Sequence, residues 1–279
     1  MRVETARAMT WTESSLTTAC GTIHYVRQGT GPTVLLLHGL GTSLRSFSGI
    51  LERLPERFHA VAIDLLGHGR SDLSAPDLSV TAQAESVLQL IQELQIHDAA
   101  LVGHSLGGSV ALQVAAMAGE RIRKVVLLGS GSYEYRLPWR WRLALAGIPS
   151  RALGLFPATR LWALRRATRR LYAQGKNRKR LFETTSALSR AGWSGMCRAF
   201  RQNLKNSELS RLEDIVENQL TQPTLVLWGS DDRISPVAPA RLLFREKRNA
   251  RFIEFAGGSH MLHEEHPDLV GDLILEFLD

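Results

Sequence analysis

The 279-residue chain has few features of a secreted or membrane protein. It contains two cysteines, Cys20 and Cys197, which lie far apart in the sequence. We therefore expect no disulfide framework and two unpaired thiols. No apolar run reaches the roughly 18 residues that a membrane-spanning helix needs. The first 20 residues mix Arg, Glu and Thr without an apolar core, so we expect no secretory signal and a cytoplasmic protein.

The overall composition is that of an ordinary globular protein. Hydrophobic residues make up 44% of the chain and charged residues 22%, both close to the average for folded domains. A chain of this length buries a sizeable core. We therefore expect one domain, or one domain with a large insertion.

The net charge of +7 is distributed unevenly along the chain. Between residues 136 and 211 there are 18 Lys and Arg and two acids, so this segment carries +16 and the remainder carries −9. A basic block within an acidic scaffold indicates a separate structural unit with its own surface role. We expect no nucleic-acid partner, because no recognition motif accompanies the positive charge.

Short apolar runs alternate with helical patterns over most of the chain. The strand-like runs are 33–37, 59–64, 99–102, 124–129, 224–229 and 250–255. The helical patterns are 80–94, 109–117, 239–245 and 267–278. This alternation predicts an α/β fold, a doubly wound and mostly parallel sheet with helices on both faces. Residues 21–26 predict part of an antiparallel hairpin before the first parallel strand.

The alternation is interrupted between about residues 132 and 222, where no strand pattern is present. Prolines and glycines divide this stretch into several helical patterns, so we predict an inserted helical cap at 133–221. The core then comprises 1–132 and 222–279. Apolar residues between 139 and 171 predict packing onto the core, with the cap arginines in solvent. The alternative is that a basic amphipathic helix with tryptophan contacts an anionic membrane surface.

The sequence Gly103-His104-Ser105-Leu106-Gly107 is the most informative motif. It follows the apolar run 99–102 and precedes the helical pattern 109–117. A G-x-S-x-G motif between a strand and a helix predicts a sharp turn that projects the serine hydroxyl from the end of the sheet. Because serine is a weak nucleophile at neutral pH, Ser105 needs a base and an acid that orients the base.

Nine histidines are candidates for the base, and His260 fits best. It follows the strand-like run 250–255 and precedes the helical pattern 267–278, and loops at the carboxyl ends of parallel strands form the site in such folds. His263 and His266 fall in the helical segment that follows. For these two we expect a solvated or capping role.

The orienting acid is expected between the serine and the histidine in chain order. Asp231 and Asp232 both follow the strand-like run 224–229 and are equally suitable on chemistry alone. Glu134, which follows an earlier strand, is a third candidate. One of the two aspartates is then a turn or helix-capping residue.

An oxyanion hole requires two backbone amides aimed at the developing negative charge. We predict Leu106, the residue after the nucleophile, and Leu40, from the loop that follows the run 33–37. His38 is expected to hold that loop as a structural histidine. The segment 64–72 is expected to form a buttressing turn without a catalytic role.

The chain resembles the α/β-hydrolase fold superfamily through five motifs in family order. They are H-G-x-G at 38–41, D-x-x-G-H-G-x-S at 64–71, G-x-S-x-G-G at 103–108, W-G-x-x-D-x-x-x-P at 228–236 and S-H-x-x-x-x-E-x-P at 259–267. The family spacing implies Asp232 rather than Asp231 as the acid. Serine at the elbow is unlike the epoxide hydrolase and haloalkane dehalogenase branches, which carry an aspartate there.

The resemblance implies a serine hydrolase with the triad Ser105, Asp232 and His260. The small-molecule substrate we expect is a carboxylic ester with an apolar acyl group. His104 and the loop sequence H-G-L-G favour ester hydrolysis over carbon–carbon bond cleavage. That reaction, thioester hydrolysis and perhydrolysis remain alternatives on the same triad, as does a non-enzymatic, membrane-docking accessory protein. The mechanism requires no organic cofactor and no metal, and no residue cluster has metal-ligand spacing.

Overall fold

A mixed eight-stranded sheet organises the part of the chain that a computed structural model describes. The described residues are 11–54, 57–130, 158–162, 165, 171–172, 189–203 and 211–279. The strands are β1 (Thr12–Thr18), β2 (Gly21–Gln28), β3 (Thr33–Leu37), β4 (His59–Asp64), β5 (Ala99–His104), β6 (Ile122–Leu128), β7 (Thr224–Gly229) and β8 (Ala250–Phe255). Their order across the sheet is β1-β2-β4-β3-β5-β6-β7-β8.

Helices lie between successive parallel strands and after the last one. They are α1 (Ser48–Leu51), α2 (Val80–Glu93), α3 (Leu106–Ala118), α4 (Arg190–Asn203), α5 (Val237–Phe244), α6 (Leu262–Glu265) and α7 (Pro267–Leu278), with 3-10 turns at Leu44–Phe47 and Gly119–Arg121 and a π-helical turn at Ile215–Gln219. Helix α2 begins at a serine cap, because the Ser79 side chain accepts a hydrogen bond from the Ala82 amide at 3.3 Å. None of the helices in the described ranges is long and apolar enough to cross a membrane.

The predicted fold class is confirmed. From β4 to β8 across the sheet the strands run parallel, whereas β2 pairs antiparallel with both β1 and β4. The predicted hairpin is thus present, but its first strand, β1, contains no apolar run from which it could be predicted. Its sequence is largely polar because β1 is an edge strand that is mostly exposed.

The apolar runs at the centre of the sheet are explained by burial on both faces. Every residue of β3 and β5 is buried, as expected for parallel strands covered by helices on each side. Alternate residues of β3 enter different clusters: Leu35 and Leu37 pack in the cluster with α2 and α3, and Val34 and Leu36 pack in the cluster with α1 and α7. The core therefore lies in two layers, one on each face of the sheet.

Strand register brings the carboxyl ends of the parallel strands to one edge. Leu37 pairs with Gly103, His104 pairs with Leu128, and Leu128 pairs with Leu227. The loops that follow β3, β5, β6 and β7 consequently meet there, and the loop after β8 joins them through the pairing of Gly229 with Phe255. The predicted site residues Ser105, Asp232 and His260 follow β5, β7 and β8 at this edge.

Helix α4, within the predicted cap, packs against the loop that precedes α2. The Arg198 guanidinium donates hydrogen bonds to the carbonyls of Leu73, at 2.6 Å, and Ala75, at 2.8 Å. The Leu78 amide donates to the Gln202 side chain at 2.6 Å. Six hydrogen bonds tie α4 to residues 73–78, a core segment far away in sequence.

The boundaries of the cap, 133–221, stay a prediction. Residues 131–157, 163–164, 166–170, 173–188 and 204–210 lie outside the described residues. They include Glu134 and the cap residues on which the two interpretations of its surface depend, such as Trp139, Trp141 and Arg169. Within the described part of this segment, Trp162 is 58% exposed.

Replacing Trp228 tests the packing at the end of β7. Its side chain is fully buried, and its indole N–H donates to the buried Ser235 carbonyl at 3.0 Å. We expect Trp228→Phe to lower the free energy of unfolding by about 2–3 kcal/mol, because the carbonyl loses its donor and the smaller ring leaves space. Urea denaturation measures this change. Leu242→Ala is the control, since Leu242 is 71% exposed and its loss should cost within about 0.5 kcal/mol; equal effects of the two variants would contradict the prediction.

Candidate active site

Ser105 occupies a strained turn between β5 and α3. Its backbone has φ 50° and ψ −115°, a left-handed conformation that costs a non-glycine residue about 1–3 kcal/mol. The surrounding backbone holds it there. The Ser105 amide donates to the Leu128 carbonyl at 3.0 Å, and its own carbonyl accepts from the Ser130 hydroxyl at 2.7 Å and the Gly108 amide at 3.0 Å.

The turn is sharp because α3 starts directly against the neighbouring strands. A β-carbon at Gly107 would overlap the carbonyl oxygen of Leu37 and would lie 2.6 Å from that of His38. A β-carbon at Gly103 would lie 2.5 Å from the Gly107 carbonyl oxygen. Side chains at these positions would push the helix away from β3 and β5, so the motif's glycines are a condition of the close approach.

Asp232 and His260 form a buried hydrogen-bonded pair at the same edge of the sheet. Asp232 Oδ2 lies 2.6 Å from His260 Nδ1. The other carboxylate oxygen, Oδ1, accepts hydrogen bonds from the amides of Ile234 and Ser235, each at 2.8 Å. Because a carboxylate only accepts, Nδ1 donates to Asp232, and in the neutral form of the ring Nε2 is the nitrogen with the lone pair.

The structure separates the two neighbouring aspartates. Asp231 is exposed, its amide donates to the Gly258 carbonyl at 2.9 Å, and its carboxylate lies 3.5 Å from the Ser230 hydroxyl. Asp232 is the one that meets the histidine ring. The geometry thus agrees with the family spacing, while the catalytic role of Asp232 stays a prediction.

The Asp232–His260 pair lies beside the turn of Ser105. A β-carbon on Gly129, the residue after β6, would stand 3.4 Å from His260 Nδ1 and 3.5 Å from Asp232 Oδ2. The side chain of His104, which precedes Ser105, has its Nε2 3.0 Å from the His260 carbonyl oxygen. Three segments distant in sequence are thereby brought together at the carboxyl ends of β5, β7 and β8.

The loop after β3 approaches the Ser105 side chain from the other side. A β-carbon on Gly39 would lie 3.3 Å from Ser105 Cβ, so the loop with Leu40 is next to the elbow. Leu106 is the first residue of α3, and its amide has no acceptor within the helix. In the described ranges, the Leu40 amide donates to no backbone carbonyl. Both predicted oxyanion donors are therefore close to Ser105, and their role stays a prediction.

His38 holds this loop, as a structural histidine would. Its Nε2 accepts a hydrogen bond from the Leu65 amide at 3.0 Å, and its Nδ1 donates to the Gly39 carbonyl at 2.8 Å. His38 is fully buried, and burial lowers its pKa. The ring therefore stays neutral and links the loop after β3 to the turn after β4.

The turn at 64–72 is built around the buried carboxylate of Asp64. The carboxylate accepts hydrogen bonds from the Leu44 amide at 2.8 Å and the Arg70 amide at 2.9 Å, and lies 3.0 Å from His24 Nδ1. Burial alone would raise the pKa of Asp64, but the hydrogen bonds and the nearby histidines lower it overall. This arrangement agrees with the buttressing role expected for the segment.

The prediction for His263 is wrong, whereas that for His266 agrees with the structure. His263 is buried, and its ring lies 4.4 Å from the His104 ring and 5.2 Å from the Phe47 ring. Helix α6 turns this face toward the core instead of toward solvent. His266 is exposed and stands at the start of α7.

Two contacts near His260 were not foreseen from the sequence. The hydroxyl of Tyr172 donates to the buried Glu264 carboxylate at 2.6 Å, and the Met261 amide donates to the Leu171 carbonyl at 3.3 Å. Both join the predicted cap to the segment after His260. A local sequence pattern cannot predict a contact between residues about 90 positions apart. Among the described residues, no group of His, Cys, Asp and Glu could hold a metal ion.

Comparison with known proteins places the chain in a family. Residues 32–267 match the model of the alpha/beta hydrolase fold, so the chain belongs to this family. It is 27% identical to an uncharacterized protein of Mycobacterium tuberculosis, over 92% of this chain and 80% of that protein. It is also 27% identical to the pimeloyl-[acyl-carrier protein] methyl ester esterase of Nitrosomonas europaea, over 85% of this chain and 92% of the esterase.

The solved structures agree on the fold. The crystal structure of an alpha/beta hydrolase fold protein from Burkholderia ambifaria superposes with a TM-score of 0.85. The sequences are 22% identical, and the match covers 94% of this chain and 97% of the other. The eight-stranded sheet described above is thus the sheet of this family.

The buried histidines beneath the site predict a steep loss of stability in acid. Burial, reinforced by the neighbouring His38, lowers the pKa of His68 to about 3. The unfolded chain binds a proton on this residue below about pH 6.5, whereas the folded protein does not. The free energy of unfolding should therefore fall as the pH drops from about 6.5 toward 3, with His68 contributing up to about 1.4 kcal/mol per pH unit.

His68→Asn isolates this contribution, because the amide of asparagine can replace the ring N–H that faces the Leu66 carbonyl but does not titrate. Urea denaturation at pH 7.5, 6.5, 5.5 and 4.5 should give a shallower pH dependence for the variant. Parallel curves for wild type and variant would contradict the assignment of a neutral, buried His68.

Proposed function

We propose that the protein hydrolyses carboxylic esters through an acyl-enzyme intermediate formed on Ser105. The observation that carries the proposal is the buried Asp232–His260 pair, 2.6 Å apart, beside a serine in a strained strand-to-helix turn. A serine hydroxyl, an imidazole with a free nitrogen and a fixed carboxylate are the groups that serine hydrolysis requires.

The proposed reaction starts with attack of Ser105 Oγ on the ester carbonyl carbon. His260 Nε2 accepts the serine proton, and Asp232 keeps the ring in the correct tautomer and stabilises the imidazolium. The tetrahedral oxyanion accepts hydrogen bonds from the Leu40 and Leu106 amides, aided by the positive end of α3. The carbon–oxygen bond to the alcohol then breaks, and His260 gives its proton to the departing oxygen.

Water completes the cycle by the same steps. His260 removes a proton from the water as its oxygen attacks the acyl-enzyme carbonyl. The second tetrahedral intermediate collapses by breaking the bond to Ser105 Oγ, which regains its proton from His260. The products are the carboxylic acid and the alcohol, and the enzyme returns to its starting state.

The surroundings support an ester with an apolar acyl group. Met196 of α4 lies over the loop after β3, since its Sδ would be 2.8 Å from a β-carbon on Gly41. A thioether side chain is apolar and adapts to substrates of different shape. The relative named as a methyl ester esterase supports ester cleavage rather than cleavage of a carbon–carbon bond.

Removing the nucleophile tests the proposal directly. Ser105→Ala should lower kcat/KM for p-nitrophenyl esters by about 10³-fold or more, because the acyl-enzyme cannot form. The assay uses a series from acetyl to palmitoyl esters, followed by absorbance of released nitrophenolate. A fluorophosphonate probe, which labels an activated serine, should react with the wild type and not with the variant. Full activity of Ser105→Ala would refute the assignment.

The adjacent aspartates provide a matched pair of variants. Asp232→Asn should lower kcat by about 10²–10⁴-fold, because an amide at this position favours the wrong tautomer of the histidine. Asp231→Asn should change kcat by less than about threefold, since its carboxylate does not reach the ring. Both variants differ from the wild type by one charge in the same loop, so steady-state kinetics on one ester compares them directly. Equal losses in the two variants would contradict the assignment of Asp232.

A further inference from the structure

His104, the residue before the serine, contacts more than one part of the proposed machinery. Its side chain is buried and sits between the loop after β3 and the segment after β8. Ring nitrogen Nε2 lies 3.0 Å from the His260 carbonyl oxygen. A β-carbon on Gly39 would lie 2.7 Å from the other ring nitrogen, Nδ1, and 3.0 Å from Cε1. One imidazole thus spans the distance between these two loops.

The hydrogen bond fixes the tautomer of His104. A carbonyl oxygen only accepts, so Nε2 of His104 must carry the hydrogen and donate it to the His260 carbonyl. Nδ1 then carries a lone pair, and it is buried without a hydrogen-bond partner among the described residues. The ring therefore offers one directed bond, and that bond ends on the backbone of His260.

The ring stays neutral, which keeps this bond unchanged over a wide pH range. Burial lowers the pKa of His104 well below its usual value, and the neighbouring rings of His263 and His260 lower it further. The ring centroids lie 4.4 Å and 4.9 Å from that of His104, respectively. A neutral His104 does not compete with His260 for the serine proton.

The position of the His260 ring relative to Ser105 depends on two long-range connections. Asp232 holds the ring at Nδ1, which sets its rotation. His104 holds the backbone of the same residue and is covalently linked to Ser105. A short path, Ser105–His104–His260, thus links the proposed nucleophile to the proposed base.

We propose that His104 is a positioning residue that sets the distance between the base and the nucleophile through its Nε2–H bond to the His260 carbonyl. This inference rests on the proposed function of the Ser105 site. His104 touches no reacting atom and holds the group that does. A displacement of about 1 Å between reacting groups can cost about 100-fold in rate, so the loss of this bond should appear in kcat.

Glutamine and asparagine distinguish the bond from the packing of the ring. The amide nitrogen of His104→Gln reaches the place of Nε2 and can donate to the carbonyl. That of His104→Asn reaches only the place of Nδ1, beside Gly39. We expect His104→Asn to lower kcat for a p-nitrophenyl ester about 10- to 100-fold with KM within about threefold. His104→Gln should restore kcat to within about threefold of the wild type.

Ile274→Ala serves as the control for general destabilisation. Ile274 is fully buried in α7, in the core layer with α1, and its truncation weakens the fold without altering the site. Thermal denaturation of all four proteins establishes the temperature at which each is fully folded, and the kinetics are measured there. The control should retain the kcat of the wild type.

The outcomes separate this inference from the proposed function. Equal kcat values for both His104 variants, whether both intact or both reduced, would overturn the positioning role, and so would a change confined to KM. If the wild type neither cleaves esters nor reacts with a fluorophosphonate, the proposed function fails, and the inference that rests on it fails too. That result is visible from the wild type alone.

A second measurement does not depend on whether the variants fold. In ¹⁵N-histidine-labelled wild type, the His104 signals should show a protonated Nε2 and an unprotonated Nδ1, unchanged between pH 5 and 8. Through-bond correlation of each ring with its own backbone signals, in protein labelled with both ¹³C and ¹⁵N, assigns them in the wild type itself. A proton on Nδ1, or titration within this range, would overturn the hydrogen bond from which the proposal starts.

Discussion

The close approach of α3 to the ends of β3 and β5 is the constraint on which the candidate site depends. It requires backbone-to-backbone contact at Gly103 and Gly107, where a β-carbon would meet main-chain oxygen atoms. The chain between strand and helix is then reduced to a single strained residue, Ser105. The loop carrying Leu40 packs against the same turn, since a β-carbon on Gly39 would lie 3.3 Å from Ser105 Cβ.

The parallel strands also bring together the second half of the site, whose residues are far apart in the sequence. The segments that follow β7 and β8 supply Asp232 and His260, and strand register fixes their height at the sheet edge. The carboxylate of Asp232 is satisfied by two amides and one ring nitrogen. Below this layer, His38 and the Asp64 carboxylate hold the loops after β3 and β4 through backbone amides. Buried polar groups with all their bonds made give such loops a single geometry.

The sequence predicted what depends on local pattern and missed what depends on long-range contact. Apolar runs located the parallel strands because those strands are buried on both faces. Strand β1 was not predicted, because it is an exposed edge strand with a largely polar sequence. Asp231 and Asp232 were equivalent by chemistry, and family spacing, not composition, distinguished them. His263 was misplaced because four residues of α6 carry too little periodicity to show which side is buried. The bond from His104 to His260 joins positions 156 apart, and no local signal reports such a pairing.

The left-handed backbone of Ser105 creates a conflict between thermal stability and reactivity at this position. The residue best suited to φ 50° is glycine, which has no hydroxyl. At this position, the residue that the backbone accepts most readily has no group that could attack a substrate. A library of variants at position 105 selected for heat resistance alone would therefore be enriched in glycine, which lacks the hydroxyl. Selection for turnover would retain serine despite its strained backbone. Under the proposed mechanism, selection for turnover is what keeps serine at this position.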